Sequence, residues 1–333
     1  MDEQPGFHVD LRHRLRAYGV IGDPGARADC ARMALALGEA ALREAEALAG
    51  ARVLRRAFTA ARGPDHRDNY RYVAGYGELM TLFLSAPVGL PPEARAQVAR
   101  LGGLANLLVS YFDELVDGGW PRAKLLPRWA LAIAPLRAGR TLVGLLARIG
   151  PAPGRLSRRL VVEYFRRVTG LPHAGRHAAV RKDLRRMIGK MYLEEGRTPD
   201  EWRRLRGDPA RQQKTALPLA VLGLPAWLAS ADCPPGRYAR HRRWLFKLGL
   251  FIRWIDDAAD LALDARNGSA NLVRRALAGH AEGRRPEDLA DRIARRGRWL
   301  LEEWRDQMAP ATPAPEPGGV LSASLVAWLG APE

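Results

Sequence analysis

Four aspartates, Asp256, Asp257, Asp260 and Asp264, close the apolar segment RHRRWLFKLGLFIRWIDDAADLALDARNGSANL. On a helix, Asp256, Asp260 and Asp264 recur at four-residue steps and stack on one face. Traced backwards, that face carries Ile252, Gly249 and Leu245, so the carboxylates continue a stripe expected to point inward. Like charges at this spacing repel by roughly 0.2–0.5 kcal/mol per pair, and by more when desolvated. Hard carboxylate oxygens gathered in this way suit Mg²⁺. Alone, the cluster reads equally well as the solvated acidic end of an apolar helix.

A second cluster shifts that balance. NLLVSYFDELVDGGW places Asp113, Glu114 and Asp117 at the end of another apolar run, just before Gly118 and Gly119. Acids at a helix C-terminus oppose the macrodipole, so local stability does not account for them. Two helices that each end in carboxylates can hold metal between them across a bundle cavity. Mg²⁺ typically combines a few carboxylates with substrate phosphates, which makes a metal-bridged diphosphate the natural third party.

The elements that must position these groups are helical. Apolar residues recur at three- and four-residue steps over about 27–61, 69–86, 92–117, 127–149, 155–169, 177–195, 210–231, 238–265 and 286–307. Sustained alternation of the strand type is absent. Pro and Gly mark the joins in PVGLPPE, DGGWP, GPAPG and CPPG. The longest uncharged run, Thr215 to Ala231, is interrupted by Pro218 and Pro225, and a buried broken helix is expected there rather than a membrane span. The expected organisation is an N-terminal arm over 1–26, one all-α domain over 27–308, and a Pro-rich linker with a short apolar segment over 309–333.

Composition narrows the function classes. The chain has 333 residues, 53 Lys+Arg against 36 Asp+Glu, and 47% hydrophobic residues. That is enough apolar material for a sizeable core, and it excludes a disordered acidic or collagen-like chain. The two cysteines, Cys30 and Cys233, show no metal-finger spacing, and a reducing, cytoplasmic setting is expected. The net charge of +17 is spread as arginine over nearly every segment, without a nucleic-acid-binding signature. A small polyanionic substrate fits it better than a nucleic acid. No signal-peptide pattern opens MDEQPGFHVDLRHR.

Together these motifs resemble the class I isoprenoid synthases, all-helical enzymes that handle allylic diphosphates. DELVD (113–117) is similar to their first aspartate-rich motif, in the variant of phytoene synthases. GLFIRWIDDAAD follows the second motif of trans-prenyl diphosphate synthases, with Ile252 and Arg253 where Phe and Gln are expected. Asp256, Asp260 and Asp264 match the metal-binding register of terpene cyclases, where Asn, Ser and Glu are usual. DLALDARNG resembles a phytoene synthase element, and 143 residues separate Asp113 from Asp256.

The resemblance implies a helical bundle around a central active-site cavity. It implies three Mg²⁺ ions held with the substrate diphosphate by Asp113, Glu114, Asp117, Asp256, Asp257, Asp260 and Asp264. RQQKTALPLA looks like a Lys-Thr element, so Lys214 and Thr215 would contact diphosphate, and Arg211 would sense it. Phe112, Trp227, Phe251 and Trp254 are candidate cavity liners, with ordinary core packing as the alternative for each. The basic Gly-Gly-Lys-Arg element of chain-elongating enzymes is missing, as is the Arg-Arg-Gly after the first motif. A terpene cyclase is therefore the expected activity, with Asp113, Asp117, Asp256, Asp260 and Arg211 in the chemistry. A prenyltransferase, head-to-head or head-to-tail, is the alternative. The expected partner is a prenyl diphosphate, without nucleic acid or a transmembrane span; peripheral membrane contact and a homodimer stay open.

Overall fold

A computed structural model describes residues 7–22, 25–49, 66–117, 152–195, 215–266, 271–278 and 286–308. Every regular element among them is helical: α1 (Phe7–Ala17), α2 (Gly25–Ala49), α3 (His66–Ser85), α4 (Pro92–Asp117), α5 (Ala152–Thr169), α6 (Ala178–Glu195), α7 (Ala216–Gly223), α8 (Ala226–Ala229), α9 (Pro235–Ala259), α10 (Leu261–Arg266), α11 (Leu272–Ala278) and α12 (Pro286–Gln307). The all-α expectation therefore stands. The pattern over 127–149 and the tail from 309 onward lie outside the described residues, as do Arg211 and Lys214.

The helices follow the periodicity closely where it is strong. α4 and α12 begin and end at the expected residues. The apolar run Thr215–Ala231 does break, and Pro225 separates α7 from α8. Its leucines are buried, and no helix among the described residues is long and apolar enough to cross a membrane. Within the segment expected to be an arm, α1 is a packed helix. Phe7, Leu11 and Leu15 recur every fourth residue, and all three are buried. α1 lies on α12 and reaches α9.

Two features hold the bundle. Aromatic rings join α3, α9 and α12: Phe83 stacks on Trp304 with centroids 5.0 Å apart and tilts against Trp244. Both indole N–H groups find carbonyls, Trp244 to Leu300 at 2.9 Å and Trp304 to Phe83 at 3.1 Å, so burying them leaves no unmet donor. On the other side, α2, α3 and α4 cross at small residues. A Cβ on Gly38 would strike the Arg71 carbonyl, and one on Gly102 would strike Thr81. Glycine weakens a helix interior by about 1 kcal/mol, and here it permits backbone contact that any side chain would block.

These crossings set the direction of the helices that carry the acids. Asn106 of α4 donates to the Val73 carbonyl at 2.7 Å while Gly102 lies against Gly77 and Thr81, so α4 runs antiparallel to α3. α9 starts beside the C-terminal end of α3, where His241 bonds the Leu84 carbonyl. It then runs back along α7, since Leu245 meets Gly223 and Gly249 meets Ala216. Both α4 and α9 thus run away from the level of Leu84 towards their acidic ends, and both pack against α7.

Candidate functional site

α9 is buried almost to its end. Leu245, Leu248, Ile252 and Ile255 are fully enclosed, and Gly249 lies so close to Ala216 of α7 that a Cβ would overlap it. The helix then stops at Ala259, and Asp260 caps it with φ −90° and ψ 9°. The four-residue hydrogen-bond step nevertheless continues, from Asp260 N–H to the Asp256 carbonyl at 2.9 Å and from Asp264 N–H to the Asp260 carbonyl at 2.8 Å. Asp256, Asp260 and Asp264 therefore keep their sequence register across the junction of α9 and α10.

The carboxylates divide into two kinds. Asp257 is buried and committed: its Oδ1 meets Arg253 Nη2 at 2.7 Å and its Oδ2 accepts the Leu272 N–H at 2.7 Å. Burial pushes its pKa up to about 6, against the pull of Arg253 and the Leu272 amide. Asp264 is also engaged, since Asn271 Nδ2 donates to its Oδ2 at 2.9 Å. Asp256 is partly exposed and meets Arg253 at 3.4 Å. Asp260 is exposed, yet burial of part of its carboxyl, joined by the charges of Asp256 and Asp264, raises its pKa.

Arg253 and Asn271 are the residues that sequence reasoning missed. Arg253 stands where the resemblance expects Gln, and it bridges Asp256 and Asp257. Asn271 caps α11 through the Arg274 N–H at 2.9 Å and also donates to the Asp257 carbonyl at 2.5 Å. Its signal was present: an Asn immediately before an apolar helical run is a strong N-cap pattern.

The other candidates are more scattered. Thr215 directly precedes α7, beside the Ala216–Gly249 contact, and its buried hydroxyl has no hydrogen-bond partner among the described residues. Phe251 is buried against Gly297 of α12, and Trp254 is partly buried against the core. Trp227 donates to His241, which precedes Asp256 by 15 residues on α9. At 1.5 Å per residue, about 22 Å of helix separates the two levels, so Trp227 packs far from the acidic end. The side chains of Phe112, Asp113, Glu114 and Asp117 lie outside the described residues, although α4 extends through them.

Among the described residues, no three His, Cys, Asp or Glu side chains converge as a ready cation cage. Asp256 and Asp260 still suit a divalent ion chemically: both offer hard oxygens, and partial burial with neighbouring negative charge already disfavours ionised Asp260. Asp256, Asp257 and Asp264 each also meet a protein group: Arg253 for the first two and Asn271 for the third. No protein-family model matches the chain, and a comparison with curated proteins finds no match.

Proposed function

We propose that the chain is a class I terpene cyclase, ionising an allylic prenyl diphosphate at the acidic end of α9. The observation that carries this reading is the unbroken register of Asp256, Asp260 and Asp264 across the junction of α9 and α10. It crowds like charge around Asp260, whose pKa is raised by burial and then by those two neighbours. Such repulsion at the end of an apolar helix is relieved by a bound cation. Asp256 and Asp260 would hold Mg²⁺ with the first acidic motif, and the ion would supply neutralisation of the departing diphosphate.

The chain's own groups do the rest. Asp257 holds Arg253 against the acidic cluster, which keeps one fixed cation beside it. Arg211 and Lys214, in this reading, add positive charge from the segment before α7. In this reading an apolar, water-poor surround would shield the carbocation. The test is incubation of purified protein and Mg²⁺ with allylic diphosphates of different lengths, with and without isopentenyl diphosphate. A hydrocarbon or alcohol from a single substrate supports cyclisation. Product that forms only from two substrates replaces this reading with prenyl transfer.

A further inference from the structure

Positive charge also collects upstream of the acidic end, between α6 and the middle of α9. Arg186 and Lys190 of α6 and Arg242, Arg243 and Lys247 of α9 line a cleft of about 590 Å³. Among the described residues that line it, Met187, Leu217, Ala239 and Phe246 are apolar and Asp183 is the one acid. Asp183 is occupied, accepting from Tyr238 Oη at 2.6 Å and pairing with Arg242 at 3.3 Å. Arg186 and Arg243 have no carboxylate partner among the described residues. Arg242 and Lys247 meet protein carboxylates, so Arg186 and Arg243 are the pair whose mutual repulsion an added anion would relieve.

A second observation adjoins the cleft. Lys247 reaches out of it, pairs with Glu303 at 3.0 Å and lies 4.4 Å from the Trp299 ring centroid. Arg296 lies 4.1 Å from the same centroid. Trp299 is nevertheless 38% exposed, and Leu250, on the same α9 face as Phe246 and Lys247, is 36% exposed. Cations, an exposed indole and an exposed leucine thus share one continuous surface. Trp beside Lys and Arg is the residue choice of a membrane–water interface.

We propose that this surface docks on an anionic phospholipid bilayer, with a headgroup phosphate taken by Arg186 and Arg243 and with Trp299 and Leu250 entering the interface. A nucleic acid would match the charge but offers no apolar phase for Leu250. The test of docking reads lipid attachment and not product formation, so its failure and the failure of the cyclase reading are distinguishable. Each Lys or Arg near an anionic leaflet strengthens attachment about fivefold.

The experiment is sedimentation of the full chain with phosphatidylcholine vesicles, with and without phosphatidylglycerol. Binding is expected only with the anionic lipid. Arg186→Glu with Arg243→Glu should weaken it at least about twentyfold, following from the per-charge factor. Trp299→Ala should weaken it too, while Arg32→Glu with Arg100→Glu, equal in net charge and on α2 and α4, should change it little. Circular dichroism checks folding, and the double Gln variant replaces the double Glu variant if the latter unfolds. Equal loss in the control pair, equal binding to neutral vesicles, or a cleft that saturates with inorganic phosphate while vesicles are ignored would each overturn the proposal.

Discussion

Trp227 and His241 are joined by a buried hydrogen bond of 2.8 Å, from indole Nε1–H to imidazole Nδ1. That bond fixes the tautomer, so Nε2–H donates to the Leu84 carbonyl at 2.8 Å. One imidazole therefore ties α8, α9 and α3 together, and it can do so only while neutral.

Acid should loosen this joint. Burial, with a smaller push from Arg237, lowers the His241 pKa from 6.5 to about 4. Above pH 6.5 the ring is neutral in both folded and unfolded chains, and its contribution is complete. As pH falls towards 4, the unfolded chain takes up a proton that the folded chain refuses, and stability drops. The full loss is about 3 kcal/mol, after which the effect levels off. Urea midpoints measured across this range should fall less steeply in His241→Gln than in the parent; equal slopes would remove His241 as the cause.

Two glycines should respond oppositely to the same substitution. Gly38→Ala drives a methyl into the Arg71 carbonyl and should cost about 2–4 kcal/mol, because α2 and α3 must separate. Gly189 lies inside α6 with nothing near its missing Cβ, and Gly189→Ala should stabilise by up to about 1 kcal/mol. Thermal melts of the two variants distinguish close packing from helix propensity.

Helix positions were legible because amphipathic periodicity records burial directly, as α4 and α12 show. The roles of individual carboxylates were not. Asp257 and Asp260 are both acids of one motif, yet one is enclosed and the other exposed. The ion pair with Arg253 and the return of the chain at Asn271 and Leu272, which brings donors to Asp257, separate them. Trp227 was open for a similar reason: an aromatic in an apolar run reads the same in sequence whether it lines a cavity or packs in the core, and the fold adds a bond to a buried histidine.

Asn271→Ala should cost about 1–2 kcal/mol, since it removes the cap of α11 and leaves the Asp257 carbonyl without its side-chain donor. Asn271→Asp retains a capping oxygen but loses the donor to Asp264 and adds charge beside it. It should therefore recover only part of the stability in a denaturant titration.

The last prediction separates bracing from chemistry within a single motif. Asp257→Ala leaves Arg253 without its closest carboxylate and the Leu272 N–H without its acceptor. Removing one partner of a buried pair typically costs about 3–5 kcal/mol, although the raised Asp257 pKa shows that burial already offsets part of the pair's value. A loss near the lower end, about 3 kcal/mol, is expected in the urea midpoint. Asp260 is exposed and caps α9 through its backbone, so Asp260→Ala should change stability by less than about 1 kcal/mol. In the cyclase reading, however, Asp260→Ala should lower turnover by orders of magnitude, as should Asp113→Ala. Stability curves and product assays on the same preparations read both effects. If Asp260→Ala keeps its activity, the cation role assigned to Asp260 fails, whatever the folding data show.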